Sequence, residues 1–305
     1  MAIPPIAAII CTHNRDAYLG AAIDSLLNQE QDDFEVIVVN NRSTDRTQDV
    51  INTYRDHPKF KAVDEPVLGL SSARNRGAKE TQAPILAYLD DDAVASPQWL
   101  TVLTKAFANQ EKLAIAGGRV TLIWPKDQSC PSWLSENLTQ ALGFYNLGDQ
   151  VLDIQEPGLT PRGLNYSIRR DFLEQVGGFD TNLGRVGKNL LSNEELFMTE
   201  LALSKGWQVA YLPEALVAHN VAPERLHPAW FLNRSWWQGV SECYREVVSG
   251  RQGMGQLGRG GERLIRGAYK TLRYLGNPAL RFDNFAYTYG QIGYLRSAIA
   301  QTLFH

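Results

Sequence analysis

From Ile6 to Asn109 the chain alternates apolar runs of strand length with segments of helical spacing, and this alternation restricts the fold more than any other feature. Ile6–Cys11 is a continuous apolar run, followed by Ala17–Asn28, where Ala21, Ala22, Leu26 and Leu27 recur at helical intervals. Glu35–Val39 is apolar and β-branched, and Ser43-Thr44-Asp45 offers an N-cap for a helix through Tyr54. Phe60–Val63 is a weaker strand and Ser71–Glu80 a further helix. Pro84–Leu89 is the fourth strand, with the helix Pro97–Asn109 behind it. Unbroken apolar runs suit strands covered on both faces. The β-α-β-α order predicts an α/β fold built on a doubly wound, mostly parallel sheet.

Past Ile115 the rhythm changes. Ile115–Trp124 is strand-like, and Pro125–Pro161 is rich in Pro, Gly and polar residues, which predicts loops and short strands. Gly163–Arg169 and Trp207–Leu212 read as strands flanking a helix around Ser192–Ser204. Beyond His219 the pattern is helical, with breaks near Gly250–Gly261 and Asn277-Pro278. We therefore expect a catalytic-type domain over 1–222, with halves meeting near 112/113, and a helical C-terminal extension over 223–305.

The fourth apolar run ends in Asp90-Asp91-Asp92. Three adjacent carboxylates repel one another and need a compensating partner, and ligands of α/β sheets gather beyond the carboxyl ends of strands. Acids there can take a hard divalent cation, which can neutralise a diphosphate; the plainer alternative is a solvated turn capping the next helix. Three more polar loops fall on the same rim: Thr12-His13-Asn14-Arg15, Asn40-Asn41-Arg42-Ser43-Thr44-Asp45, and Gly69 through Asn75. Each could be turn chemistry alone. Four together suggest a nucleotide cradle. The net charge of −3 gives no reason to expect nucleic acid as a partner. The three cysteines, Cys11, Cys130 and Cys243, form neither a disulfide framework nor a zinc pattern, which favours a reducing, cytoplasmic setting. Met1–Pro5 lacks a basic leader, and no apolar stretch approaches the roughly 20 residues of a bilayer span.

In this order and spacing the motifs resemble the family 2 glycosyltransferases of the GT-A fold. The resemblance runs from about Ile6 to His219, through Cys11–Arg15, Val39–Asp45, Gly69–Gly77, Leu89–Asp92, Gly177-Gly178-Phe179-Asp180, Glu194-Glu195 and His219. It implies inverting transfer of a sugar from a nucleotide-sugar to an acceptor hydroxyl, with Mn²⁺ or Mg²⁺ as cofactor. Asp90 and Asp92 match the family's D-x-D, the first touching ribose and the second the metal, with Asp91 between them. His219 matches a further metal-binding position. Thr12, Asn14 and Arg15 would line the base pocket, Asn41 would contact base or ribose, and Arg74 would lie near the base or the diphosphate. Glu194-Glu195 matches the acidic pair that supplies the catalytic base, although the family usually reads Glu-Asp. The structural alternative for that pair is a helix N-terminus favouring acids, with Ser192 or Asn193 as cap. Asn40-Asn41-Arg42 likewise departs from Asp-Asp-Gly, and because an amide both donates and accepts, the donor could be UDP-, GDP- or dTDP-linked. Acceptors would dock near Gly163-Leu164-Asn165 and Gly177–Asp180.

Two other classes stay open at this point. A sugar nucleotidyltransferase would favour a glycine-rich basic loop after the first strand, which Cys11–Arg15 lacks. A non-catalytic nucleotide-sugar binder would have no need of Asp90, Asp92, Glu194, Glu195 and His219 together. In the C-terminal third, Trp230 to Tyr244 predicts a helix with an aromatic face packed on the core. Arg251, Arg259, Arg263, Arg266, Lys270 and Arg273 stand against one acid, Glu262, a local balance of +5. Leu264, Ile265, Ala268, Tyr269 and Leu272 interleave with them, and glycines from Gly250 to Gly261 suggest a hinge before them. Such a helix suits an anionic membrane surface at the inner face of the cell membrane, or a homo-oligomer contact. The expected acceptor is a glycan or lipid-linked sugar in polysaccharide or glycolipid synthesis.

Overall fold

The computed structural model describes residues 3–185, 190–248, 250 and 254–304. Its strands are β1 (Ile6–Thr12), β2 (Glu35–Asn40), β3 (Phe60–Asp64), β4 (Ile85–Asp90), β5 (Ala93–Ala95), β6 (Leu113–Ile123), β7 (Leu152–Asp153), β8 (Asn165–Arg169) and β9 (Gln208–Asn220). The first four helices are α1 (Asp16–Leu27), α2 (Thr47–Asn52), α3 (Leu70–Lys79) and α4 (Trp99–Asn109). Then come α5 (Glu136–Thr139), α6 (Arg170–Gln175), α7 (Glu194–Ser204), α8 (Pro228–Val248), α9 (Met254–Arg273) and α10 (Pro278–Phe304).

The chain divides into two compact units. The first holds Met1–Ile123, Gly143–Gly184 and Glu194–Asn220; the second holds Trp124–Leu142, Arg185–Asn193 and Val221–His305. Two segments expected with the catalytic part, 124–142 and the described residues of 185–193, group with the C-terminal helices.

All nine strands lie in the first unit, in the order β3-β2-β1-β4-β8-β6-β9-β5, with β7 paired to β9. β1 pairs in parallel with β2 and β4, and β2 with β3. Beyond β4 the pairing is mixed: β8 runs antiparallel to β4 and β6, while β6 and β9 are parallel. Central strands are apolar throughout because both faces are covered: Ile6–Ile10 and Ile85–Leu89 are buried. Covering them are Leu19, Ile23 and Leu26 of α1 and Trp99, Leu103 and Phe107 of α4. β3, the weakest strand signal, is the sheet edge and only part-buried.

Two expectations need correction. β9 runs on through Pro213 to Asn220, where the sequence predicted a strand only over Trp207–Leu212. The β6–β9 register shifts between Gly118 and Val120, and such an irregularity accommodates a proline's missing N–H. The helix expected from Ser43 begins only at Thr47, where Asp45 Oδ1 accepts the Thr47 N–H at 3.0 Å.

In the second unit α10 packs on α8 and α9. The aromatic face of α8 finds its partners there: Trp236 lies 5.6 Å from Tyr289, and Trp133 sits 5.5 Å from Phe231 and 5.0 Å from Phe282. The glycine-rich stretch is not a hinge as far as the described residues go, because α9 runs unbroken from Met254 through Gly261. A Cβ at Gly260 would strike Leu295 and Tyr294, so close helix packing outweighs the cost of about 1 kcal/mol per helical glycine. Arg251 lies outside the described residues. No described helix is long and apolar enough to cross a membrane.

Candidate active site

The carboxyl ends of β1, β2 and β4 carry the polar loops on one rim of the first unit. β4 stops at Asp90, and the turn that follows holds Asp91 and Asp92, both buried. The chain then re-enters as β5, whose pairing with β9 sets Ala93 opposite His219. This register carries His219 Nε2 to 3.1 Å from Asp92 Oδ1. The neighbouring Asn220 donates through N and Nδ2 to the Asp92 carbonyl at 2.9 and 3.1 Å, fixing the turn.

Arg15, at the start of α1, points at the same acids, 3.7 Å from Asp91 and 3.8 Å from Asp92. Burial and the neighbouring Asp92 push the Asp91 carboxyl up to about 8, against the pull of Arg15 and the Thr12 hydroxyl. One guanidinium therefore does not balance these acids. Carboxylate oxygens suit Mn²⁺ or Mg²⁺, and Asp92, with His219 beside it, would hold the ion. Among the described residues no set of three or more His, Cys, Asp or Glu side chains converges on one point. Such a pair suits a cation that shares its coordination with substrate phosphates.

The other loop residues hold the rim together. Asn14, at φ +55°, accepts the Thr44 N–H at 2.7 Å and donates its own N–H to Ser43 Oγ. His13 Nδ1 donates to the Asn41 carbonyl at 2.7 Å. Asn41 is buried and its amide is spent inside the chain. Nδ2 donates to the carbonyls of Glu65 (3.0 Å) and Val67 (2.8 Å), and Oδ1 accepts the Gly69 N–H at 2.8 Å. A carboxylate could keep only the last of these bonds, which accounts physically for the amide here. Its two N–H groups organise the loop into α3.

Arg74 was expected near the base or the diphosphate. It is buried against the acidic pair, 2% exposed, with Asp90 also among the charges that act on it. Nη1 is 3.3 Å from Glu194 Oε1; Nη2 is 3.0 Å from Glu195 Oε1 and donates to the Gly163 carbonyl at 3.3 Å. Its charge also sits 5.4 Å above the Phe179 ring. Burial opposes that charge, but Glu195 and Glu194 more than compensate and raise its pKa above the ordinary arginine value. Glu194 is buried while Glu195 is the more open of the two, the better placement for a base that must meet an incoming hydroxyl.

α3 turns one face to this region. Ser71 donates to the Leu183 carbonyl at 2.6 Å, and Asn75 both donates to the Phe179 carbonyl and accepts its N–H, each at 2.8 Å. Ser71, Arg74 and Asn75 thus clamp the Gly177–Leu183 loop and the acidic pair from a single helical stripe. Sequence reasoning missed this clamp, although the i, i+3, i+4 spacing was its visible signal. It also missed Arg162, whose charge is disfavoured by burial and favoured by Tyr145 and Glu195. Gly163 has no side chain because a Cβ there would lie inside contact distance of Glu195 Oε1 and Arg74 Nη2. Ser192 and Asn193, the expected caps, bond to α8 through Ser241 and Gln238.

The model of the family described as Glycosyl transferase family 2 matches residues 7–177. Glucosyl-dolichyl phosphate glucuronosyltransferase of Haloferax volcanii is 28% identical over 258 residues, 80% of this chain and 78% of that protein. The uncharacterized glycosyltransferase EpsJ of Bacillus subtilis is 32% identical over 232 residues, 73% of this chain and 63% of its own length. Among solved structures, the mannosyltransferase PcManGT from Pyrobaculum calidifontis in complex with GDP-Man and Mn²⁺ superposes with a TM-score of 0.58 at 17% identity, covering 100% of this chain and 75% of that one. TarS 1–349 of S. aureus in complex with UDP gives 0.52 at 15% identity, covering 98% and 92%. At these identities the structural likeness establishes the fold, a GT-A type α/β architecture.

Proposed function

Because the chain belongs to glycosyl transferase family 2, we propose that it moves a hexosyl group from a nucleotide-sugar to an acceptor hydroxyl with inversion at the anomeric carbon. The observation that carries this reading is the meeting of Asp92 and His219 at the sheet rim, 3.1 Å apart, in the unit that also holds the Arg74-bound acidic pair. Asp92 and His219 would hold Mn²⁺ or Mg²⁺, whose charge neutralises a leaving diphosphate. Thr12, Asn14, Arg15, Asp90 and Asp91 line the rim where the nucleotide would sit. Glu195, steadied by Arg74, takes the proton from the acceptor hydroxyl as it attacks, and Glu194 supports it through the same guanidinium.

The named donor of one structural neighbour is GDP-Man and the nucleotide of another is UDP, so both bases stay in the screen. The name of the Haloferax relative supports a lipid-linked sugar as acceptor. A donor-hydrolysis screen with UDP-, GDP- and dTDP-sugars, with and without Mn²⁺, tests the reading. Turnover of one donor class that stops on chelation is expected. Asp92→Ala should abolish metal-dependent donor binding with the fold intact, and calorimetry showing unchanged binding would overturn the assignment.

A further inference from the structure

The outer face of α9 carries an apolar row that nothing in the described structure covers. Ile265 is 72% exposed, Tyr269 60% and Leu272 67%, at the i, i+4, i+7 spacing of one helical stripe, and Leu275 just beyond the helix is 59% exposed. The opposite side of the same helix is packed: Gly260 against Leu295, Gly267 against Thr288, and Arg263 paired to Glu242 at 2.7 Å. Placing an amphipathic stripe outward in water is unfavourable unless something receives it.

Basic side chains flank the row. The structure narrows the six cations counted in the sequence, because Arg259 pairs with Glu246 and Arg263 with Glu242 inside the second unit. What remains on the outer face is Arg266, Lys270 and Arg273, against Glu262 alone, which pairs with Arg266 at 3.5 Å. Lys270 and Arg273 make no ion pair among the described residues. Arg266 and Lys270 also border a groove of about 470 Å³, together with Tyr274, Asn284 and Tyr287. The groove's one acid, Asp283, already accepts from Ser135 and Asn137.

We propose that this face of α9 docks on an anionic lipid bilayer, with Ile265, Tyr269, Leu272 and Leu275 entering the headgroup–acyl boundary and Arg266, Lys270 and Arg273 meeting lipid phosphates. Long basic side chains lay their stems along apolar surface and keep their charge at the polar layer, which fits this arrangement. A second copy of the chain is the poorer occupant. A two-fold contact centred on the row would set Lys270 and Arg273 against their own counterparts, like charge on like charge. The inference rests on the second unit alone and stands independently of the transfer chemistry, so its failure leaves that reading untouched.

Co-sedimentation of the full chain with vesicles tests it, using phosphatidylcholine alone and phosphatidylcholine mixed with phosphatidylglycerol, at low and high salt. The chain should pellet with the anionic vesicles at low salt and be released by added salt. Affinity should fall about fivefold for each basic charge removed, and further in the reversal pair Lys270→Glu/Arg273→Glu. Ile265→Ser/Leu272→Ser should abolish binding while circular dichroism melts and donor hydrolysis match the parent, since both side chains are exposed. Failure to pellet with anionic vesicles at low salt overturns the proposal, as does equal pelleting by the serine pair. A parent that is dimeric by light scattering and becomes monomeric in the serine pair overturns it in favour of a second copy.

Discussion

Replacing Arg74 by methionine isolates what the buried guanidinium does. Methionine nearly fills the same volume, so little cavity cost enters, and the change is mainly the removal of one positive charge. In the parent that charge lies 3.3 Å from Glu194 and 3.0 Å from Glu195, whose side chains are 4% and 14% exposed. Removing one partner of a buried ion pair costs about 3–5 kcal/mol, because the other is left uncompensated. With a urea m-value of roughly 2–3 kcal/mol/M, the midpoint should fall by about 1–2 M at about pH 8. Arg74 stays charged throughout, its pKa being raised by the two glutamates. Hydrogen exchange of peptides covering α3 and α7 along a urea series reads this without interference from the second unit. A midpoint within about 0.3 M of the parent at about pH 8 refutes the reasoning.

Glu195→Gln should keep donor affinity, and can still accept from Arg74, while transfer falls by about two to four orders of magnitude; near-full transfer would move the base to Glu194. Asn41→Asp removes both donors to Glu65 and Val67 and sets a carboxylate against two carbonyl oxygens, costing about 1–3 kcal/mol, and an unchanged melting temperature would count against it. The Asp91 carboxyl, raised to about 8, favours the folded state below the ordinary carboxyl range and loses that contribution as pH climbs toward 8. Mn²⁺ with nucleotide should therefore bind more tightly as pH rises to about 8 and expel up to about one proton near neutrality. Calorimetry in buffers of different ionisation enthalpy would reveal that proton; heats independent of buffer would exclude it.

The sequence makes the left half of the sheet readable because its strands are unbroken apolar runs, and a run such as Ile6–Ile10 has nowhere to go but the interior. The acidic turn is readable for the same reason: it stands where such a run stops. Partnership at a distance is not readable. Nothing near Arg74 announces that its charge goes to residues 120 and 121 positions later, and nothing near Asn41 announces two waiting carbonyls. Composition misled at α9, where glycines imply a hinge until Leu295 and Tyr294 are seen lying against Gly260. It also overstated the outer charge of that helix, because pairing by Glu242 and Glu246 can be seen only in three dimensions.

The contact between Asp92 and His219 spans 127 positions, and that between Arg74 and Glu195 spans 121. A chain leaves the ribosome from its amino end at roughly 5–20 residues per second, so the acids of the fourth strand wait about 6–25 s for their histidine. In that interval β1 to β4 can pair, but the side of β4 that β8 will take lies open, and β9, which joins β5, β6 and β7, does not yet exist. The nascent protein therefore owns the polar loops of its sheet rim well before it owns the contacts that β9 brings to them. Any mutation that slows the arrival of β9 will show first as misassembly during synthesis, in the yield of folded chains, while the molecules that do finish carry normal turnover.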